Sequence, residues 1–112
     1  MGQEWSEWRK FPDPRFCEFL IAPLGPGCYD IRRKDTEQLV CFGVGGHVAL
    51  RMTSLLPAPL GRGTRNNKLK REYIAEHLPY IEYRTIPCTT RTEALKIEKG
   101  LKSNKKTYKF PT

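Results

Sequence analysis

The tightest constraint on this chain lies between residues 23 and 46. Pro23, Gly25 and Pro26 break the chain, two short β-rich segments follow, and Gly45-Gly46 breaks it again. The segments are Gly27–Arg33 (GCYDIRR) and Gln38–Val44 (QLVCFGV), with Lys34-Asp35-Thr36 between them as a turn. That spacing predicts an antiparallel hairpin.

The remaining pattern supplies what packs against it. Val48, Met52 and Leu55 recur at i, i+4 and i+7 and predict a helix over about 47–56, stopped by Pro57 and Pro59. Gly61–Asn67 reads as a loop into a second helix over about 67–77, which Pro79 ends. Tyr80–Ile86 (YIEYRTI) is β-branched and aromatic and predicts a third strand. Thr90 opens a last helix, with Glu93 as its capping-box partner. The expected fold is α+β: a small three-stranded antiparallel sheet flanked by helices, in the order β-β-α-α-β-α. Residues 1–25 are expected to form an extension packed on the domain through Trp5, Trp8, Phe16, Phe19 and Leu20, and residues 26–112 the domain itself with a basic tail.

At 112 residues there is enough chain for one domain, whose folding hides roughly 65% of the unfolded surface. No apolar run is long enough to span a membrane. The opening MGQEWSEWRKF lacks the basic-then-apolar order of a secretory signal, which predicts a cytoplasmic protein with reduced thiols. Cys17, Cys28, Cys41 and Cys88 form no C-x-x-C pair and share no zinc-ligand spacing with His47 or His77, so no zinc site is expected.

Charge narrows the function classes. Lys and Arg number 20 against 12 Asp and Glu, a net +8. Residues 1–56 hold 7 basic and 7 acidic side chains; residues 57–112 hold 13 and 5, so the whole excess lies in the second half. Two acid-free stretches, Gly61–Arg71 and Lys99–Thr112, carry 5 basic residues each. Such concentration favours a polyanion partner over a merely solvated face.

Signatures of nucleotide binding, serine hydrolysis and zinc proteolysis are absent. Three residues stand out. Glu98 falls within the apolar stripe of Ala94, Ile97 and Leu101, where a carboxylate needs a partner, a cation or a slight rotation of the helix. Arg51 lies at the edge of the Val48/Met52/Leu55 face, placed either to pair with an acid or to grip a phosphate. Tyr29 shares a strand face with Ile31, a position that is usually core.

Together these residues resemble the GIY-YIG nuclease superfamily. Gly27-Cys28-Tyr29, a second strand ending Cys41-Phe42-Gly43, Arg51 eight residues further, and EALKIEKGLK (93–102) with Glu98 carry the likeness over about residues 26–105, and the element order agrees with it. Gly27, Cys41 and Gly43 fall on signature positions, with Cys28 where the family has Ile and Cys41 where it has its second tyrosine. The resemblance implies a metal-dependent endonuclease that hydrolyses DNA phosphodiester bonds. Glu98 would ligate one divalent cation, Mg2+ or Mn2+. Arg51 would neutralise phosphoryl charge and Tyr29 accept the proton of the attacking water, with His47 as a second proton-transfer candidate. Arg62, Arg65, Lys68, Lys70, Arg71, Lys102, Lys105 and Lys106 would then hold backbone phosphates without reading sequence. Branched or otherwise structured DNA is one possible substrate, and the oligomeric state stays open. The alternatives are a catalytically weakened nucleic-acid-binding module and a basic protein-interaction domain.

Overall fold

The computed structural model describes residues 4–13, 18, 20–56, 66–103 and 108–110. In chain order they form β1 (Arg9–Lys10), β2 (Gly27–Arg33), β3 (Leu39–Gly45), α1 (Val48–Met52), a 3-10 turn at Thr53–Leu55, α2 (Asn66–Glu76), a 3-10 turn at Leu78–Tyr80, β4 (Ile81–Pro87) and α3 (Arg91–Lys102). The fold is α+β.

The sheet has four strands rather than the expected three, in the order β1-β4-β2-β3 with every pairing antiparallel. The added strand comes from the N-terminal segment, which runs along β4. Ser6 N–H donates to Thr85 O (2.8 Å), Arg9 and Lys10 pair with Tyr83 and Glu82, and Phe11 N–H donates to Ile81 O (2.9 Å). Side chains hold it there. Trp5 stacks on the Arg84 guanidinium (4.4 Å) and Trp8 on that of Arg32 (4.1 Å), while Phe11 is buried edge-on against Tyr83. The segment thereby covers β4, which would otherwise be a bare sheet edge.

Side chains alternate across the sheet and divide the core in two. On one face Tyr29, Ile31, Cys41 and Tyr83 pack with Val48 and Met52 of α1, Leu55 after it, and Ile74 of α2. On the other, Cys28, Val44 and Ile86 pack with Ala94, Ile97 and Leu101 of α3. Tyr108 joins this second face, with its ring on Phe42 (4.9 Å) and its hydroxyl donating to Asp30 Oδ1 (2.8 Å).

The first helix is shorter than its apolar spacing predicts. After Met52 the chain tightens into the 3-10 turn, where the Thr53 hydroxyl donates to Leu50 O (2.5 Å) and competes with the helical ladder. Leu56 is already extended, the conformation a residue before proline prefers. In the hairpin, Arg33 N–H donates to Gln38 O (2.8 Å), and Glu37 takes a positive φ of 58° to complete the turn.

Candidate functional site

The β2–β3 register pairs Gly27 with Gly45, Tyr29 with Gly43 and Ile31 with Cys41. The Tyr29 ring lies across Gly43 so closely that a Cβ there would stand 2.5 Å from Cε2, Cζ and Oη of the ring. Only glycine fits. Tyr29 is 5% exposed; burial, reinforced by the Cys41 thiol and only partly offset by Arg51, raises its pKa above the ordinary phenol range. In this arrangement the hydroxyl stays protonated at neutral pH and is equipped to donate a hydrogen bond. Accepting a proton, the role the resemblance assigns it, requires positive charge beyond what Arg51 supplies. Cys41 is fully buried, and burial pushes its thiol up to about 12, so it is no nucleophile.

Arg51 reaches the same region from α1. Its stem lies against Gly45, where a Cβ would stand 3.0 Å from Arg51 Cδ, and the residue is exposed. The start of α1 is tied down: Val48 N–H donates to Gly25 O (3.1 Å), Ala49 N–H to Pro23 O (2.9 Å) and Leu50 N–H to His47 Nδ1 (3.0 Å). With Nδ1 accepting, the neutral imidazole carries its proton on Nε2, which makes His47 a hydrogen-bond donor towards solvent.

Arg51 and His47 border a cleft of about 350 Å³ at the C-terminal end of β3, lined also by Val44, Gly45, Gly46, Leu50 and Arg91. Among the described residues, none that lines it is acidic. Arg91, the first residue of α3, enters from the opposite helix layer, behind the Thr90 cap whose hydroxyl accepts from Glu93 N–H (3.2 Å). Sequence reasoning missed Arg91. Its signal was a cation in the first turn of a helix, where the macrodipole disfavours positive charge.

No family model matches the chain, and neither does any curated protein or solved structure.

Glu98 sits elsewhere. It projects from α3, the layer on the Cys28 face, whereas Tyr29 belongs to the α1/α2 face. Its side chain is 19% exposed, with Oε1 3.6 Å from Lys102 Nζ one turn on. Cys28, whose Sγ donates to Ala94 O (3.2 Å), lies beneath the same stretch of helix. One carboxylate suits, by its donor chemistry, a magnesium ion that keeps most of its water, but this one is largely covered and paired with Lys102. Among the described residues no group of three or more His, Cys, Asp or Glu could hold a metal. The structure therefore gathers Tyr29, Cys41 and Arg51 on one face and His47, Arg51 and Arg91 around the cleft, and sets Glu98 in the other helix layer.

Of the basic residues, Lys68 on α2 and Lys102 on α3 are exposed, Arg71 is half-buried, and Lys70 is buried rather than displayed to solvent. Arg62, Arg65, Lys105 and Lys106 lie outside the described residues, as does Cys17. Cys28, Cys41 and Cys88 are free and buried.

Proposed function

We propose that this chain is an endonuclease of the GIY-YIG kind that hydrolyses DNA phosphodiester bonds with the help of one divalent cation. The observation that carries the reading is the cleft that Arg51, Arg91 and His47 line, with no acid among its described lining residues. Two guanidinium forks and an imidazole N–H make a donor set for phosphate oxygens. The hairpin register supports it, because Gly45, which lines the cleft and carries the Arg51 stem, stands in the same strand as Gly43, over which the Tyr29 ring lies. In this reading Arg51 and Arg91 hold the backbone and offset phosphoryl charge, His47 donates to an oxygen, and Tyr29 orients by hydrogen bonding. Glu98 would hold the cation, whose contribution is Lewis-acid stabilisation of phosphoryl charge.

A second reading, a nucleic-acid-binding module without cleavage, is favoured by the buried, protonated Tyr29 and by Glu98 standing in the opposite layer. Nicking of supercoiled plasmid separates the two. The nuclease requires nicking with Mg2+ or Mn2+ that EDTA abolishes and Glu98→Gln loses, while that variant still retards DNA in a gel. Retardation by the wild type with no nicking under either metal rejects the nuclease and establishes the module.

A further inference from the structure

Leu50 is 65% exposed on α1, between the buried residues Val48 and Met52. A lone exposed leucine is ordinary, but this one lines the cleft together with His47, Arg51 and Arg91. Its main chain is tied at both ends. The Leu50 N–H donates to His47 Nδ1 (3.0 Å), and its carbonyl accepts from the Thr53 hydroxyl (2.5 Å) and the Thr53 N–H. With both backbone groups satisfied locally, the residue offers only its apolar side chain and can be covered without stranding a donor or an acceptor. Its mount is fixed as well: Val48 N–H donates to Gly25 O and Ala49 N–H to Pro23 O, while the Val48 and Met52 side chains are set in the core.

Two guanidiniums, with no acid among the described lining residues, make the cleft complementary to an anion. Leu50 decides which kind. A free phosphate would engage the guanidiniums and the imidazole N–H and leave the leucine in water. A regular duplex shows such a surface its phosphates and groove edges, with the base faces stacked out of reach. A nucleic acid with an exposed base face satisfies the cations and the leucine together. An apolar side chain pressed into a weakened base step, beside cations on the backbone, is a recurrent way of gripping kinked DNA.

We infer that Leu50 is a wedge that enters an unstacked step of DNA while Arg51 and Arg91 hold the flanking phosphates, so that a duplex with an unpaired base is the preferred partner of this cleft. The inference rests on the phosphodiester reading above and names the class of DNA that the same site takes.

The test is fluorescence anisotropy of the full chain, with EDTA present, on two short duplexes identical except for one unpaired adenine. Wild type is compared with Leu50→Ala, with Leu50→Gln, which keeps the length of the side chain but ends it in an amide, and with Leu69→Ala. The last trims an exposed leucine of α2 that is not among the residues lining the cleft. Wild type should bind the duplex with the unpaired base about 10-fold more tightly, because unstacking is cheapest there. Both Leu50 variants should cut that preference to about 3-fold or less, since they lack the apolar wedge, and Leu69→Ala should keep it. A 2-aminopurine next to the unpaired base should brighten when wild type binds and brighten far less with either Leu50 variant, a signal that a merely structural leucine would not move. If one Leu50 variant does not fold, the other decides. Equal affinity of wild type for the two duplexes overturns the inference, and so does a full preference in the Leu50 variants. Failure of wild type to bind either duplex rejects the phosphodiester reading and the wedge together. Binding without preference rejects the wedge alone, and a preference without plasmid nicking rejects the nuclease and upholds the wedge.

Discussion

Gly43 and Asp30 sit on strands that face each other, and each makes a demand that a single substitution can read. A methyl group at position 43 would enter the Tyr29 ring, which is buried in the core cluster that also holds Cys41, Val48 and Met52. Gly43→Ala should therefore destabilise the fold by about 1–3 kcal/mol, the usual cost of overpacking, seen as a lower urea midpoint with an unchanged slope. Asp30 is 1% exposed and accepts from the Tyr108 hydroxyl (2.8 Å) and from Arg84 Nη2 (3.1 Å). Burial nevertheless outweighs both and raises its pKa above the ordinary carboxylate value. The folded chain then holds this proton more tightly than the unfolded one. The associated stabilisation is complete below about pH 3.9 and is lost as pH rises through the raised folded value. Asp30→Asn removes that titration, so its stability relative to wild type should climb through this window. Urea midpoints measured from about pH 3 to about pH 7 show the trend; a difference that stays flat or reverses contradicts it.

Elements differ in how openly the chain declares them. β2, β3 and β4 are legible because each is a seven-residue run of strand-forming residues between breakers. β1 is not, since two residues carry no period, and what holds them is stacking between Trp5, Trp8 and arginines far along the chain. The same limit applies at the site. Tyr29 and Arg51 are marked by spacing from the hairpin glycines, but Lys70 and Leu69 invert the hydropathy rule because Ile74 and the core beneath it set the roll of α2. α3 is legible at its start. Thr90 caps it, and Glu93 Oε2 accepts from Thr89 N–H (3.2 Å), one residue earlier than the expected box would place that bond. Thr90→Ala should cost about 1 kcal/mol and loosen the turn that carries Arg91. Faster amide exchange at the first turn of α3, with β2 unchanged, is the expected signature; equal acceleration throughout would mean that the cap matters only to global stability.

Across the whole molecule, the cleft draws one arginine from each half of the chain, Arg51 and Arg91. The first half of the chain is neutral and the second carries the entire +8. β3 is at the edge of the sheet, and the cleft beside its end takes Arg51 from α1 and Arg91 from α3, with no acid among the described residues that line it. If this cleft is the DNA interface proposed above, it would bind backbone phosphates by releasing condensed counterions, which fixes how affinity responds to salt. If about five phosphates are neutralised, log affinity falls against log salt with a slope of about −4.5, a loss of roughly 500-fold between about 50 and about 200 mM. Arg51→Ala and Arg91→Ala should each flatten that slope by about 1 and weaken unrelated sequences alike, since neither reads a base. Fluorescence anisotropy on two short duplexes of different sequence, followed over a salt series, measures both effects. A slope near zero, or a loss confined to one sequence, would remove the cleft from the DNA interface and leave the basic second half of the chain to a protein partner.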